Sequence, residues 1–346
     1  MHPNGERNWR FDFLKGISCI FVVFLHCHFP GTMGDIIIYA CRFPVPLFFM
    51  ISGYYSYAKE SIWIKRRAVG ILKMLLLTEL TYGLLNCLCT FLSGESSVID
   101  YLKGLSVFTY PIRVLLCGSF FNGTLWYLYA IFWTYCILYI FSRKENIKNL
   151  QYLLIPILLG LQILGRFYWQ NHFNIQSDIY LFRNVFLFGL PLTMYGSLLA
   201  KLEKSIKQKI NWQRSILIFI LGVVLMTGEY FLSGQYMDFH FSTLFTSTGL
   251  FLLAMTYPFA EPKLLKYISF IGHRLSMLIY LSHIGFSSII QLIALKCGME
   301  SDPIFLWVYP FLVCVCSGLF ALIVNCVQKR KLKLPASFRS VIKTKT

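Results

Sequence analysis

Arg10-Phe11-Asp12-Phe13-Leu14-Lys15-Gly16-Ile17-Ser18-Cys19-Ile20-Phe21-Val22-Val23-Phe24-Leu25-His26 is the stretch that decides how this chain is read. It is long enough to cross most of a bilayer's hydrocarbon core as a helix, and it is almost wholly apolar after Lys15. It opens, however, with Asp12 and Lys15 one turn apart and closes on a histidine. At about 100° per residue, the steps from Lys15 to His26 come within about 20° of three full turns, and Asp12 lies about 40° from His26. The three side chains therefore share one stripe, with Lys15 and His26 about 16 Å apart along the axis. The same count turns His28 toward the opposite face. Ionisable groups in hydrocarbon are costly, so a stripe of them marks a wall of a path or a site. Two plainer readings stand beside that one: Lys15 snorkelling to the cytoplasmic interface, and His26 hydrogen-bonding a neighbouring helix.

The rest of the 346 residues has the same character, with 57% apolar, 17% aromatic and only 14% charged residues. Soluble domains are about a quarter charged. This composition excludes a disordered chain, a disulfide-built secreted module and an ordinary cytosolic enzyme. Ten apolar runs suit the length a bilayer demands: 11–29, 36–57, 68–92, 124–142, 150–168, 179–201, 213–232, 240–260, 274–296 and 304–328. The expected fold is thus all-α and integral to a membrane, one domain over 1–328 followed by a basic tail, 329–346. The stretch 104–121 is also apolar but holds Tyr110-Pro111 and Arg113, which suits a re-entrant or interfacial piece. The 11 cysteines are scattered through apolar runs with neither zinc nor redox spacing, and are expected to be buried thiols.

A net charge of +17 raises the question of nucleic acid, and its distribution answers it. With the N-terminus in the cytoplasm, 24 Lys and Arg fall on the inner side against three (Lys103, Arg113, Lys296) on the outer. That asymmetry predicts both termini cytoplasmic and leaves membrane lipid, not nucleic acid, as the partner of the basic residues. The first helix begins beside Arg7 and Arg10 and lacks a following small-x-small site, so it is expected to be retained as a helix, not cleaved as a signal.

Other polar residues fall inside the expected spans. Phe43-Pro44-Val45-Pro46-Leu47-Phe48-Phe49-Met50-Ile51-Ser52-Gly53-Tyr54-Tyr55 combines two helix-breaking prolines with a Ser-Gly pair that permits close helix approach. Lys65, Arg66 and Arg67 are a topology signal or a phosphate cradle. Arg42 and Glu229 both lie toward the outer side, where they can pair or line a pocket; Glu79, near mid-span, can meet Lys73 or Arg183. His283 falls in the inner half of the ninth span and is read as structural.

These features, together and in this order, resemble the membrane-bound acyltransferase family three, which includes O-acetyltransferases of surface polysaccharides. Arg10-x-Asp12-x-Leu14-Lys15-Gly16-Ile17 is similar to the family's opening, and Lys15-x10-His26 to its basic-x10-His motif, with lysine where arginine is usual. Val45 to Tyr54 resembles V-P-L-F-F-x-I-S-G-Y; Leu125-Trp126-Tyr127-Leu128 resembles L-W-F/Y-L; Gly272 through Ile279-Tyr280-Leu281-Ser282-His283 resembles G-x-x-S-x-x-I-Y-L-x-H. At the third span the family's R-R-x-x-R-I-x-P becomes Arg66-Arg67-x-x-Gly70-Ile71-x-Lys73, without the third arginine and the proline.

The resemblance implies a ten-helix core and transfer of an acyl group, commonly acetyl, from cytoplasmic acyl-coenzyme A to a hydroxyl of a cell-surface or lipid-linked glycan. It also implies the bacterial inner membrane and no metal. His26 is the expected catalytic residue, as general base or as acyl carrier. Asp12 and Lys15 are expected to support it as a pair; Lys65, Arg66 and Arg67, together with Lys15, are expected to take the donor phosphates; Arg42, Trp126 and Tyr127 are expected to form the acceptor pocket, an interfacial aromatic belt being the plainer reading of Trp126 and Tyr127. A transporter or flippase of a lipid-linked glycan also accounts for buried charges and basic inner loops, but the paired motifs favour the acyltransferase.

Overall fold

Prolines, glycines and charge clusters cut the chain where the apolar runs end. The computed structural model describes residues 8–94, 97–105, 111–118, 120–144, 150–173, 182–233 and 239–333, and among these every regular element is helical. Helix α1 spans Trp9–His26, capped by the Asn8 side chain, which accepts from Arg10 N at 3.1 Å. Next come α2 (Gly31–Ala40), α3 (Pro44–Ser56), α4 (Ser61–Ser93), the short α5 (Val98–Lys103) and α6 (Pro111–Cys117), α7 (Trp126–Arg143) and α8 (Leu150–Phe173). A π turn, Val185–Gly189, leads into α9 (Leu190–Lys201), followed by α10 (Glu203–Lys209), α11 (Trp212–Ser233) and α12 (Phe241–Thr256). The last group is α13 (Lys266–Phe270), a second π turn (Ile271–Leu275), α14 (Ser276–Cys297) and α15 (Pro303–Lys333).

Each of the ten expected runs carries a helix, but their lengths differ from the expectation. Six helical segments among the described residues are long and apolar enough to cross a membrane: Gly31–Ser56, Ser61–Ser93, Gly123–Arg143, Trp212–Phe231, Lys263–Cys297 and Pro303–Gln328. A seventh is Val185–Lys201 if its pair with α10, bent by 69°, counts as one. Helix α1 falls outside that set because Arg10, Asp12 and Lys15 crowd its 18 residues, and α12 because it has only 16. The second run is interrupted at 41–43, since Pro44 and Pro46 start a new helix there. The last helix continues beyond 328 to Lys333, so the expected tail boundary falls inside it. The apolar stretch at 104–121 contributes the short α6, anchored where Trp133 Nε1 donates to Leu115 O at 2.9 Å.

The bundle has an apolar core that also holds polar side chains, and its outer surface is apolar too. On α4, Leu84 and Phe91 are exposed while Glu79 is buried, the pattern of a helix whose outer solvent is lipid. Of the cysteines expected to be buried, Cys297 and Cys326 are exposed instead.

Glycines set the tightest crossings. A Cβ on Gly53 would lie 1.8 Å from Thr193 O, and one on Gly196 would lie 1.9 Å from Met50 O, so α3 and α9 touch backbone to backbone in both directions. Gly222 and Gly249 do the same for α11 and α12, where Cβ atoms would come 2.5 Å from Thr246 N and 2.4 Å from Phe219 N. Gly272 lets the second π turn ride on α1, because a Cβ there would reach 1.7 Å from Asp12 O. Lipid offers no hydrophobic drive for helix association, so such close backbone packing carries much of the attraction. We expect Gly196→Ala to lower stability in detergent by at least about 2 kcal/mol, because the obstacle is backbone and cannot rotate away. Gly160→Ala, with open space around its Cβ, should be neutral or stabilising. Thermal unfolding midpoints of the two variants check this.

Candidate active site

Asp12 and Lys15, near the start of α1, pair with each other. Lys15 Nζ lies 2.6 Å from Asp12 Oδ1, with the Asp12 side chain only 4% exposed. The other carboxylate oxygen faces His273 Nδ1 at 3.5 Å, and His273 belongs to the π turn seated on α1 through Gly272. The Lys15 ammonium also lies 5.9 Å from the centre of the Tyr55 ring.

At the other end, α1 stops at His26: Cys27 N still bonds Val23 O, but its φ of −111° and ψ of 93° leave the helix. That ending corrects the expectation for His28. Freed from helical register, His28 joins His26 on the wall of one cavity of about 400 Å³. Asp35, Arg42, Trp126 and Arg183 also line it. The proline-induced break between α2 and α3 places Arg42. Arg183 immediately precedes Asn184, whose side chain accepts from Phe186 N and Leu187 N to start the first π turn. The Arg183 guanidinium lies over the Trp126 ring at 5.9 Å.

A second cavity, of about 380 Å³, is lined by Ser52, Arg66, Arg67, Gly70, Tyr127 and Tyr135 among others. Lys65 is exposed and does not line it, so the basic cluster divides. Trp126 and Tyr127 also separate, since adjacent helical residues point about 100° apart. Trp126 faces the His26 cavity and Tyr127 the Arg67 cavity. Along α3 the change of cavity runs from Val45 to Ser52, which is about 10 Å of helix.

A row of rings joins the two cavities. His26 and His283 have ring centroids 5.4 Å apart, His283 and Tyr280 6.0 Å, and Tyr280 and Tyr127 5.5 Å. His283 therefore packs beside His26, the residue that ends α1. Tyr280 Oη donates to Thr124 O at 2.7 Å, tying this row to the start of α7. The sequence signal for the row is the Tyr280–His283 spacing, which puts both rings on one helical face. Nothing in the sequence pairs them with His26 or brings His273 to Asp12.

The remaining intramembrane ions have their own partners. Glu79 meets neither Lys73 nor Arg183: it accepts from Tyr129 Oη at 2.9 Å and Phe121 N at 3.1 Å, holding the loop before α7. Glu229 lies beside His240, with Oε2 3.7 Å from Nδ1, and accepts from Ser242 N at 3.2 Å. It does not line the cavity that holds Arg42. Among the described residues no group of three His, Cys, Asp or Glu is arranged to hold a metal ion.

A family model described as an acyltransferase domain, that of acyltransferase family three, matches residues 8–326. The chain belongs to acyltransferase family three. No curated protein and no solved structure gives a match. Family membership and the apolar helices together make it a multi-pass membrane protein with acyltransferase activity.

Lys15→Met leaves the buried Asp12 carboxylate without its nearest cation. It should therefore destabilise the protein more than Asp12→Asn does, and the double variant should recover part of the loss. A double-mutant cycle on unfolding free energies should return a coupling of at least about 1 kcal/mol.

Proposed function

We propose that this acyltransferase moves an acyl group, most simply acetyl, from acyl-coenzyme A to a hydroxyl of a glycan or glycolipid, with His26 as general base. The observation that carries this reading is the ring-linked pair of cavities, one with an arginine pair and one with a histidine at a helix end.

In this reading the donor's phosphates rest against Arg66 and Arg67, whose forks suit phosphate oxygens. Its thioester reaches past Tyr127 toward His26. The acceptor sits in the other cavity beside Trp126, which offers a face for a sugar ring, and beside Arg42 and Arg183, which offer donors to its oxygens. Neutral His26 takes the hydroxyl proton as the oxygen attacks the thioester carbonyl. The tetrahedral intermediate collapses with cleavage of the C–S bond, and the leaving thiolate takes the proton back from the imidazolium. Asp12 and Lys15 act a helix length away, fixing α1 against the second π turn. Tyr127 then belongs to the donor's route and not to the acceptor pocket, and Lys65 contributes charge at the entrance.

The proposal includes the finer topology. Ten crossings with both termini cytoplasmic follow if α1, α8, α9 and α12 span alongside the six long segments, and the 24-to-3 division of Lys and Arg supports that orientation. The Arg67 cavity then opens toward the cytoplasm, where coenzyme A thioesters are found, and the membrane is the bacterial inner membrane. Transport of a lipid-linked glycan has weaker support, since the family match is to an acyltransferase domain.

With purified protein, labelled acetyl-coenzyme A and a glycan extract, His26→Ala should lower transfer at least about 10³-fold while leaving the unfolding midpoint in place. Full transfer by that variant would remove His26 from the chemistry. Arg67→Gln should raise the donor KM about tenfold or more with kcat little changed, the signature of lost ground-state binding. An unchanged donor KM would place the phosphates elsewhere.

A further inference from the structure

His283 is fully buried, and one of its ring nitrogens is committed. Its Nδ1 lies 2.7 Å from the carbonyl oxygen of Tyr280. A carbonyl only accepts, so Nδ1 carries the hydrogen and donates it, and in the neutral ring Nε2 is left with its lone pair. That Nε2 is buried and has no hydrogen-bond partner among the described residues. Two rings pack against this imidazole. Tyr280 has its hydroxyl bonded to Thr124 O, and His26 lines the cavity. Buried polar atoms are rarely left unmatched, and an unmatched one beside a reactive group calls for a functional account.

We infer that His283 is a positioning residue for His26: the two rings pack without a hydrogen bond in this structure, and a turn of the His26 ring about its own side chain brings its N–H onto the free Nε2 lone pair, which fixes the His26 nitrogen that faces the acceptor. This rests on the reading of His26 as the base. An imidazole can take a proton only through the nitrogen that lacks one, and a ring free to exchange tautomers spends part of its time with the wrong nitrogen in the cavity. With one N–H held by His283, the lone pair of the other nitrogen is directed at the hydroxyl. When His26 takes the hydroxyl proton, its original N–H stays on His26 and the bond to His283 strengthens, because the donor is now cationic. The proton then returns to the leaving thiolate, and His283 keeps its own Nδ1 hydrogen throughout. The arrangement has the logic of a base oriented by a third group, with a neutral imidazole as the orienter and the Tyr280 carbonyl holding that orienter in turn.

The test uses the full chain in detergent or lipid with two variants. His283→Ala removes the acceptor and should lower kcat about 10²-fold, with KM for both substrates within about threefold. His283→Gln keeps an acceptor oxygen and should recover most of that loss. Nitrogen-15 spectra of histidine-labelled protein, with the His26 signals assigned by their absence from His26→Ala, give a readout that needs no turnover. Wild type should show one His26 tautomer, and His283→Ala a mixture of two; if the alanine variant does not fold, the wild-type and glutamine spectra carry the same decision. A single unchanged His26 tautomer in a variant without an acceptor at 283, a mixture in wild type, or a folded His283→Ala with kcat within about twofold of wild type would each overturn the inference. A wild type that transfers no acyl group would end the base reading itself, while the spectra would still decide the pairing.

Discussion

A helix that carries Asp12 and Lys15 in its first two turns packs into this bundle only if those two charges are satisfied where they stand. The 2.6 Å contact between Lys15 and the buried Asp12 carboxylate does this, and the remainder of the site follows from it. With those charges satisfied, α1 runs from the pair to His26 in one unbroken helix, which fixes the histidine about 16 Å from the lysine on the same stripe. The pair also reaches outward. Asp12 faces His273, so the same carboxylate that stabilises α1 holds the π turn leading into α14, the helix that carries Tyr280 and His283. A single buried carboxylate thereby sets the relative placement of both histidines.

Backbone contact at glycine makes that placement firm. Gly272 allows the π turn to lie directly on the Asp12 carbonyl, and Gly53 with Gly196 joins α3 to α9 with no side chain between them. Through Gly53 the Val45–Tyr54 segment is locked so that Val45 reaches one cavity and Ser52 the other. The two π turns, next to Arg183 and beneath α14, each re-aim a helix by one residue at the edge of the site, as such turns commonly do. The chemistry proposed for His26 depends on this rigidity, because a general base must meet its proton within hydrogen-bond reach.

Much of this was legible in the residues, and what was not has identifiable causes. The all-helical membrane class followed from composition and run length, and the Asp12–Lys15–His26 stripe followed from helical periodicity alone. Family resemblance through Lys15-x10-His26 and Val45–Tyr54 pointed to an acyltransferase, the family that matches residues 8–326. Periodicity failed where helices end or bend. It could not know that α1 stops at His26, so His28 was sent to the wrong face, nor that π turns would alter the register near Arg183 and His273. Partners from distant sequence were also invisible: Glu79 was expected to seek a cation, yet Tyr129 and the Phe121 amide satisfy it. The sequence alone marks His283 as structural, because its contact with His26 arises only from the packing of α14 against α1.

The central claim is that the Arg67 cavity is reached from the cytoplasm and the His26 cavity, joined to it by a row of rings, from the other side. Thiol accessibility tests it most directly. With Cys297 and Cys326 replaced by serine, His28→Cys and Arg67→Cys are each labelled with a membrane-impermeant reagent in sealed vesicles of known orientation. The account predicts that Arg67→Cys reacts only from the cytoplasmic face and is shielded by coenzyme A, while His28→Cys reacts only from the opposite face. Labelling of both positions from the same face would contradict it.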